Sequence, residues 1–462
     1  MENTSKIGNE MYDLIENLYP ICRSITGNGT RETLQIISKI IPIQIHEVSS
    51  GTSVFDWTIP NEWNIKDAYI KSPTGEKIID FKKSNLHILY YSLPINKKIT
   101  LNELKEHIFT QPDRPKDIPY RTSYYSEKWG FCMSHEQFLK LEDGDYEVVI
   151  DSELKSGSLS YGEYYFKGNS DEEILLSCYI CHPSLCNDSL SGVVTAVELA
   201  KFIEELKRKT HYSYRILFIP ETIGSITWLS RNQEKIKNIK HGLVITCTGD
   251  KGKINYKKTR NGNSEIDKIV IDVLENSNED FSVLDYFPFG SDERQYCYPG
   301  INLNMGCLTR TVFGDFPEYH TSADNLTYVT PSSLANTLKI YIRIIEKLEE
   351  NYTKFSLDGS TTKKIKKSLS DDPVFVNLVK CEPQLGKRNL YHDLGGPKLK
   401  PFHGRGSKDT TKIKEKAMMW ILAYSDGTNS LKDIEVKSNI DFETLIQISN
   451  LLCDHKLIEE LK

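Results

Sequence analysis

Four residues, widely spaced in the chain, have the types and settings that hydrolytic chemistry needs. His182 closes the apolar run Ile174-Leu-Leu-Ser-Cys-Tyr-Ile-Cys-His-Pro183, and Asp188 follows within Asn187-Asp-Ser-Leu-Ser-Gly192. Glu221 follows a second apolar run, Arg215-Ile-Leu-Phe-Ile-Pro220, and His320 lies in the polar stretch Pro317-Glu-Tyr-His-Thr-Ser-Ala-Asp-Asn325. Two imidazoles and a carboxylate make a three-ligand set for catalytic zinc and leave a fourth position for water. A further carboxylate can then move the proton. Each residue also has a plain structural alternative: a hydrogen-bonded histidine at a strand end, a helix-capping aspartate, a buried ion pair at Glu221, an exposed His320. No Walker A loop, dinucleotide glycine fingerprint, Gly-x-Ser-x-Gly elbow or His-Glu-x-x-His helix competes for the assignment.

The elements around these residues alternate strand and helix. Apolar and periodic runs predict strands at 163–166, 174–181, 214–219, 242–246 and 301–305, and helices at 191–207, 223–232 and 331–351. This alternation implies an α/β sheet covered by helices on both faces. It delivers His182 and Glu221 to the carboxyl ends of their strands, where open α/β sheets bind ligands. Asp188 opens the helix from Ser191, whose dipole favours an ionised carboxylate. Upstream, the first fifty residues read as a helix, a loop over Thr26 to Thr30, a helix from Arg31 to Ile40 and a strand from Ile43 to Val48.

Residues 55–152 differ in character. Phe55, Trp57, Trp63, Tyr90, Tyr91, Tyr120, Tyr124, Tyr125 and Trp129 mix there with Pro and Gly turns and short alternating runs, as in a small β unit. After the long helix, Ser356 to Asp372 reads as a linker. The last fifty residues carry three helical segments, 412–424, 431–438 and 442–455, with turn residues between them, the layout of a winged helix or helix-turn-helix. Its would-be recognition helix, Asp441 to Asn450, has no Lys or Arg and two acids near its start. That favours a protein or dimer contact over DNA.

With 462 residues the chain is long enough for two or three cores. The expected division is 1–54 with 153–355 as one discontinuous catalytic domain, 55–152 as an inserted β-rich domain, and 373–462 as the winged helix. A 39% apolar and 26% charged composition is that of a folded globular protein, and no run is apolar enough to cross a bilayer. The net charge of -6 arises from mixed signs, against a general nucleic-acid footprint. Ten cysteines are too dilute for a disulfide scaffold. Cys178, Cys181 and Cys186 surround His182, but residues three apart on a strand face opposite ways, which argues against a zinc knuckle. The N-terminus lacks a signal-peptide layout, so the expected location is cytoplasmic, without membrane contact.

Taken together, the motifs resemble the M28-type zinc aminopeptidases. Asn187-Asp-Ser-Leu-Ser-Gly192 resembles that family's Asp-Asp-x-x-Ser-Gly, with Asp188 at the metal-bridging carboxylate. Glu221-Thr-Ile-Gly224 resembles Glu-Glu-x-Gly, whose first Glu is the general base, and Tyr319-His-Thr-Ser-Ala-Asp324 resembles the metal-binding His-Thr-x-x-Asp. The resemblance spans about residues 156–352 plus the opening fifty. Over its whole length the chain resembles the DUF4910/DUF2172 aminopeptidase-like branch, through Phe55-Asp-Trp-Thr-Ile-Pro-Asn-Glu-Trp63, Pro119-Tyr-Arg-Thr-Ser-Tyr-Tyr125, Cys181-His-Pro-Ser184 and Ser291-Asp-Glu-Arg-Gln-Tyr296. The resemblance implies a zinc-exopeptidase-like mixed sheet flanked by helices, an inserted small β domain and a C-terminal winged helix. Some members of that branch are labelled as polysaccharide-biosynthesis proteins, which speaks to context and not to chemistry.

Three departures bear on the chemistry. Thr222 stands where the two-metal enzymes have a second Glu, Thr246 where they have an Asp ligand, and Ser184 where an Asp orients the first His. Neutral Thr is a poor zinc ligand, so the expected centre holds one Zn(2+) on His182, Asp188 and His320, with Glu221 as general base. The implied reaction is hydrolysis of an amide in a small peptide or an acylated amino compound. Arg294 and Arg310 are candidate oxyanion donors, Asp292 and Glu293 candidate partners for a substrate amine, and Arg121 and Tyr124 candidate walls of the cleft. The competing readings are a catalytically silent metal- or ligand-binding protein on the same fold, and a winged-helix regulator.

Overall fold

The computed structural model describes residues 2–206, 210–355, 365–390 and 410–461. Its largest element is an eight-stranded mixed sheet. In spatial order the strands are Gln44–Ser49, Ser158–Phe166, Ser213–Ile219, Glu173–Tyr179, Ile239–Ile245, Met305–Thr309, Ile254–Lys257 and Phe281–Leu284. The four from Ser213–Ile219 to Met305–Thr309 run parallel, with antiparallel neighbours on both sides.

The apolar runs that announce these strands are continuous because both faces are covered. Along Glu173–Tyr179, Ile174, Leu176 and Cys178 enter one core, together with Met11, Ile15 and Leu18 of helix Glu2–Leu18, Val193 and Val197 of helix Gly192–Glu205, and Leu338 and Tyr341 of helix Pro331–Phe355. Leu175 enters the other core with Leu217, Ile219, Val244 and Met305, against Ile226 and Trp228 of helix Ile223–Arg231. Period-two alternation thus sorts one apolar run into two layers.

Residues 62–155 add a four-stranded antiparallel sheet in the order Lys77–Asp80, Glu62–Lys71, Asp145–Lys155, Ile95–Thr100. Its aromatic residues Trp63, Tyr90, Tyr91 and Tyr120 belong to the second core and so dock this sheet onto the large one. At the C-terminus, helices Thr410–Tyr424, Leu431–Ser438 and Phe442–Asp454 pack with a three-stranded sheet, Asp426–Ser430, Val374–Asn377 and Ile458–Glu460, in a winged-helix arrangement. Ion pairs tie this unit down: Arg260 to Asp426 at 2.6 Å, Arg388 to Asp56 at 2.6 Å and Arg294 to Glu382 at 3.0 Å.

The strand expected at 301–305 lies instead at Met305–Thr309. The amides of Ile301 and Asn302 turn back to the carbonyl of Tyr298, and Asn302 has φ 58°, so the apolar Ile301 and Leu303 belong to a turn. The second helix starts at Asn28, not Arg31. Of the expected linker, residues 356–364 lie outside the described residues, as does 391–409 of the C-terminal unit. No helix among the described residues is long and apolar enough to cross a membrane.

Candidate metal centre

The carboxyl ends of the parallel strands converge on His182, Asp188 and His320. One ligand atom from each lies within 4.8 Å of the others. Asp188 Oδ2 is 3.9 Å from His182 Nε2 and 3.0 Å from His320 Nε2, and His182 Nε2 is 3.8 Å from Glu221 Oε2. Apart from each other, Asp188 Oδ2 and His320 Nε2 are buried without a hydrogen-bond partner. An unsatisfied buried carboxylate oxygen and imidazole nitrogen facing one point are costly unless a further group joins them. An ion that accepts both nitrogen and oxygen donors answers that need, and the donor set of two His and one Asp fits zinc.

Backbone and side chains hold each member in place. The guanidinium of Arg23, fully buried, donates to the carbonyl of His182 at 3.0 Å. The amides of Asn187 and Asp188 donate to the carboxylate of Asp324 at 2.7 and 2.9 Å, which fixes the turn before helix Gly192–Glu205. Gly192 lets that helix abut the neighbouring strand, since a Cβ there would lie 2.4 Å from the carbonyl oxygen of Ile245. His320 is gripped by the inserted unit: the amide of Tyr120 donates to its carbonyl at 2.8 Å, and Ser322 bonds Ile118. Four non-glycine residues around the centre, Ser184, Thr222, Cys247 and His320, have φ between 43° and 63°. Such backbone costs energy and clusters where side chains must be aimed.

Burial and charge separate the protonation behaviour of His182, Asp188 and Glu221. Burial brings the His182 imidazole down to about 4, so it stays neutral, as a ligand must be. Burial alone would raise Asp188, but the two imidazoles and the Tyr179 hydroxyl outweigh it and hold the carboxyl at about 2. Burial, then the charges of Asp292 and Asp188, push Glu221 well above the usual carboxylate range. A carboxylate with raised proton affinity is suited to taking up a proton near neutral pH.

The remaining candidates divide. Asp292 accepts the amide of Thr222 at 2.7 Å and the Ser225 hydroxyl at 2.9 Å, beside Glu221, and burial lifts it to about 7. Arg294 reaches Thr222 Oγ1 at 3.1 Å and Glu382 at 3.0 Å. Two candidates are corrected. Glu293 has no exposed surface and is paired with Lys257 at 2.6 Å, which removes it as a partner for a substrate amine. The Arg310 side chain is turned to Thr337, Gly252 and Glu279, a structural role that excludes it as an oxyanion donor. Arg121 is buried and donates to the carbonyl of Tyr120. Tyr124 bonds Tyr120 at 3.0 Å, but Tyr120 itself packs edge-on against both His182 and His320.

Sequence reasoning missed Tyr120 as the contacting aromatic, together with Tyr179, Arg23 and Asp324. Tyr120 and Asp324 sit within the motifs already singled out. Tyr179 lies in the strand run that ends at His182 but reads there as one more apolar residue, and Arg23 lies in no segment singled out. Cys181 is a brace, not a metal ligand: its sulfur accepts the amide of Glu221 at 3.3 Å. Ser184 bonds the carbonyl of Tyr19 and does not orient His182.

The fold is similar to that of solved peptidases, among them a "Peptidase M28 precursor" from Shewanella amazonensis, with a TM-score of 0.51 at 13% identity over 74% of this chain and 96% of that one. A zinc aminopeptidase from Bacillus subtilis superposes with a TM-score of 0.53 at 11% identity, over 75% of this chain and 94% of that one, a likeness of fold. More specifically, residues 12–351 match the family described as "Domain of unknown function (DUF4910)", and residues 373–460 match a winged helix-turn-helix family. The chain belongs to the DUF4910 family. A Clostridium acetobutylicum protein named "Putative polysaccharide biosynthesis protein with aminopeptidase-like domain" is 52% identical over 459 residues, covering 99% of this chain and 98% of that protein. A crystal structure of a "putative peptidase" from Clostridium acetobutylicum has a TM-score of 0.74 at 50% identity, covering 100% of this chain and 98% of that one.

Proposed function

We propose that this protein is a zinc-dependent amidohydrolase of the exopeptidase type, with one Zn(2+) per chain on His182, Asp188 and His320 and with Glu221 as general base. The observation that carries the reading is the convergence of His182, Asp188 and His320, whose ligand atoms lie within 4.8 Å of one another, beside Glu221. Zinc at these residues supplies a water of lowered pKa and polarises the scissile carbonyl.

The chain's own residues do the rest. Glu221, raised by burial, takes the proton of the attacking water and returns it to the leaving amine. Asp292 fixes the turn that carries Glu221 by accepting the amide and hydroxyl of Thr222 and Ser225, and its charge strengthens the proton affinity of Glu221. Arg294, beside Thr222 and paired with Glu382, is a candidate donor for a developing oxyanion. Tyr120 walls the histidine pair from the side of the inserted unit, and the substrate is a small peptide or an acylated amino compound. The aminopeptidase-like domain named for the Clostridium relative supports an amide-bearing substrate.

The winged helix serves a protein contact and not DNA: its last helix is capped by Asp441, carries Glu443 in its first turn and has no basic residue. All ten cysteines are free thiols, which fits a reducing cytoplasm. The test is Glu221→Gln, assayed on aminoacyl and N-acyl amide substrates. The expected variant keeps its zinc and loses at least about a hundredfold in turnover. Turnover unchanged in that variant would overturn the base assignment.

A further inference from the structure

Asp188 has two carboxylate oxygens, and only one of them faces the histidines. The other, Oδ1, accepts the hydroxyl of Tyr179, the last residue of the central strand Glu173–Tyr179. The oxygen of Tyr179 in turn accepts the hydroxyl of Thr246 at 2.6 Å. Thr246 directly follows the adjacent parallel strand Ile239–Ile245. All three residues are buried, Tyr179 at 2% exposure and Asp188 and Thr246 at none.

The donors and acceptors form one directed chain. A phenol has a single proton, and here it goes to Asp188, so its oxygen must receive from elsewhere. The Thr246 hydroxyl supplies that donor. A neutral hydroxyl pair therefore occupies the face of Asp188 that looks toward Thr246, and Asp188 keeps one oxygen for an ion. By the resemblance to the M28-type enzymes, Thr246 stands where those have an Asp ligand. The two observations have one explanation.

We propose that the Thr246–Tyr179–Asp188 chain of hydrogen bonds is the positioning device of the metal centre, fixing Asp188 as a one-oxygen ligand and filling the space that a second ion on that carboxylate would need. Tyr179 and Thr246 are positioning residues: both are buried, and Thr246, whose hydroxyl also lies 3.5 Å from Cys247 Sγ, reaches Asp188 through Tyr179. The inference rests on the single-zinc reading above and adds to it the residues that make the centre single.

Partners behind a ligating group commonly govern metal affinity by 10–100-fold, and a double-mutant cycle shows whether two residues act in series. The experiment measures zinc affinity by competition with a chelator in the full-length wild type, Tyr179→Phe, Thr246→Val and the double variant, with thermal unfolding of each metal-free protein as the check on folding. Tyr179→Phe is expected to bind zinc about 10–100-fold more weakly. Thr246→Val should lose less, and the double variant should be no weaker than Tyr179→Phe. Loading with cobalt gives a second readout: freeing Oδ1 lets Asp188 bind through both oxygens, so the visible bands of Tyr179→Phe should differ in shape from those of the wild type. Unchanged affinity in Tyr179→Phe, or losses that multiply in the double variant, would overturn the proposal. A wild-type protein that takes up no zinc would instead overturn the metal reading beneath it.

Discussion

Gly192→Ala is a small perturbation with a large expected effect. Gly192 begins the helix that follows Asp188, and an added Cβ would lie 2.4 Å from the carbonyl oxygen of Ile245 and 3.0 Å from the Cα of Thr246. Both neighbours are backbone at the end of a buried strand and cannot swing aside as a flexible side chain would. Ordinary contact begins near 3.4 Å, so helix and strand must part by about 1 Å. Overpacking of this kind costs about 1–3 kcal/mol. The same separation pulls Asp188 and Thr246 apart, so zinc affinity should fall along with stability. Helix propensity alone predicts the opposite sign, because Ala is favoured over Gly by up to about 1 kcal/mol within a helix. Urea unfolding of the metal-free protein, paired with zinc competition, reads both quantities. A variant that is as stable as wild type, or more so, and that keeps its zinc affinity would refute the claim that this glycine sets the spacing of the centre.

Two further predictions concern the framework. Arg215 is buried between Glu173, at 2.7 Å, and Glu163, which also accepts the indole N–H of Trp228 at 2.8 Å. Arg215→Met leaves buried Glu173 without its cation and Glu163 with Lys235 alone at 3.6 Å, and should cost about 3–5 kcal/mol in urea unfolding. His241, buried on the strand Ile239–Ile245, is brought down to about 4 by burial. Its folded pKa lies below the unfolded one, so its contribution is present above pH 6.5 and is lost as pH falls towards 4. Between pH 6.5 and 5 the protein should lose about 2 kcal/mol through this residue, and His241→Gln should flatten that slope.

Much of the fold was legible because both faces of the central strands are covered, which writes them as unbroken apolar runs. The same runs announced where His182 and Glu221 emerge. Strand ends were less legible: Ile301 and Leu303 are apolar for the sake of a turn, and only the backbone bonds to Tyr298 reveal it. Within the site, His182, Asp188 and His320 came together as their motifs implied, since each motif includes its own local turn. Tyr179 was not legible. Its ring reads as one more apolar residue of a strand, and its hydroxyl acquires meaning only when the neighbouring strand brings Thr246 beside it. Glu293 and Arg310 failed for a related reason, as their charges are consumed by Lys257 and Glu279 from segments distant in sequence.

The zinc content of the full-length protein, purified without chelator and measured alongside His182→Ala and Asp188→Ala, tests the central claim most directly. One zinc per wild-type chain, absent from both variants, is the predicted result. No metal in the wild type, even after added zinc or cobalt, would contradict the hydrolase account, and two per chain would contradict the single-ion centre.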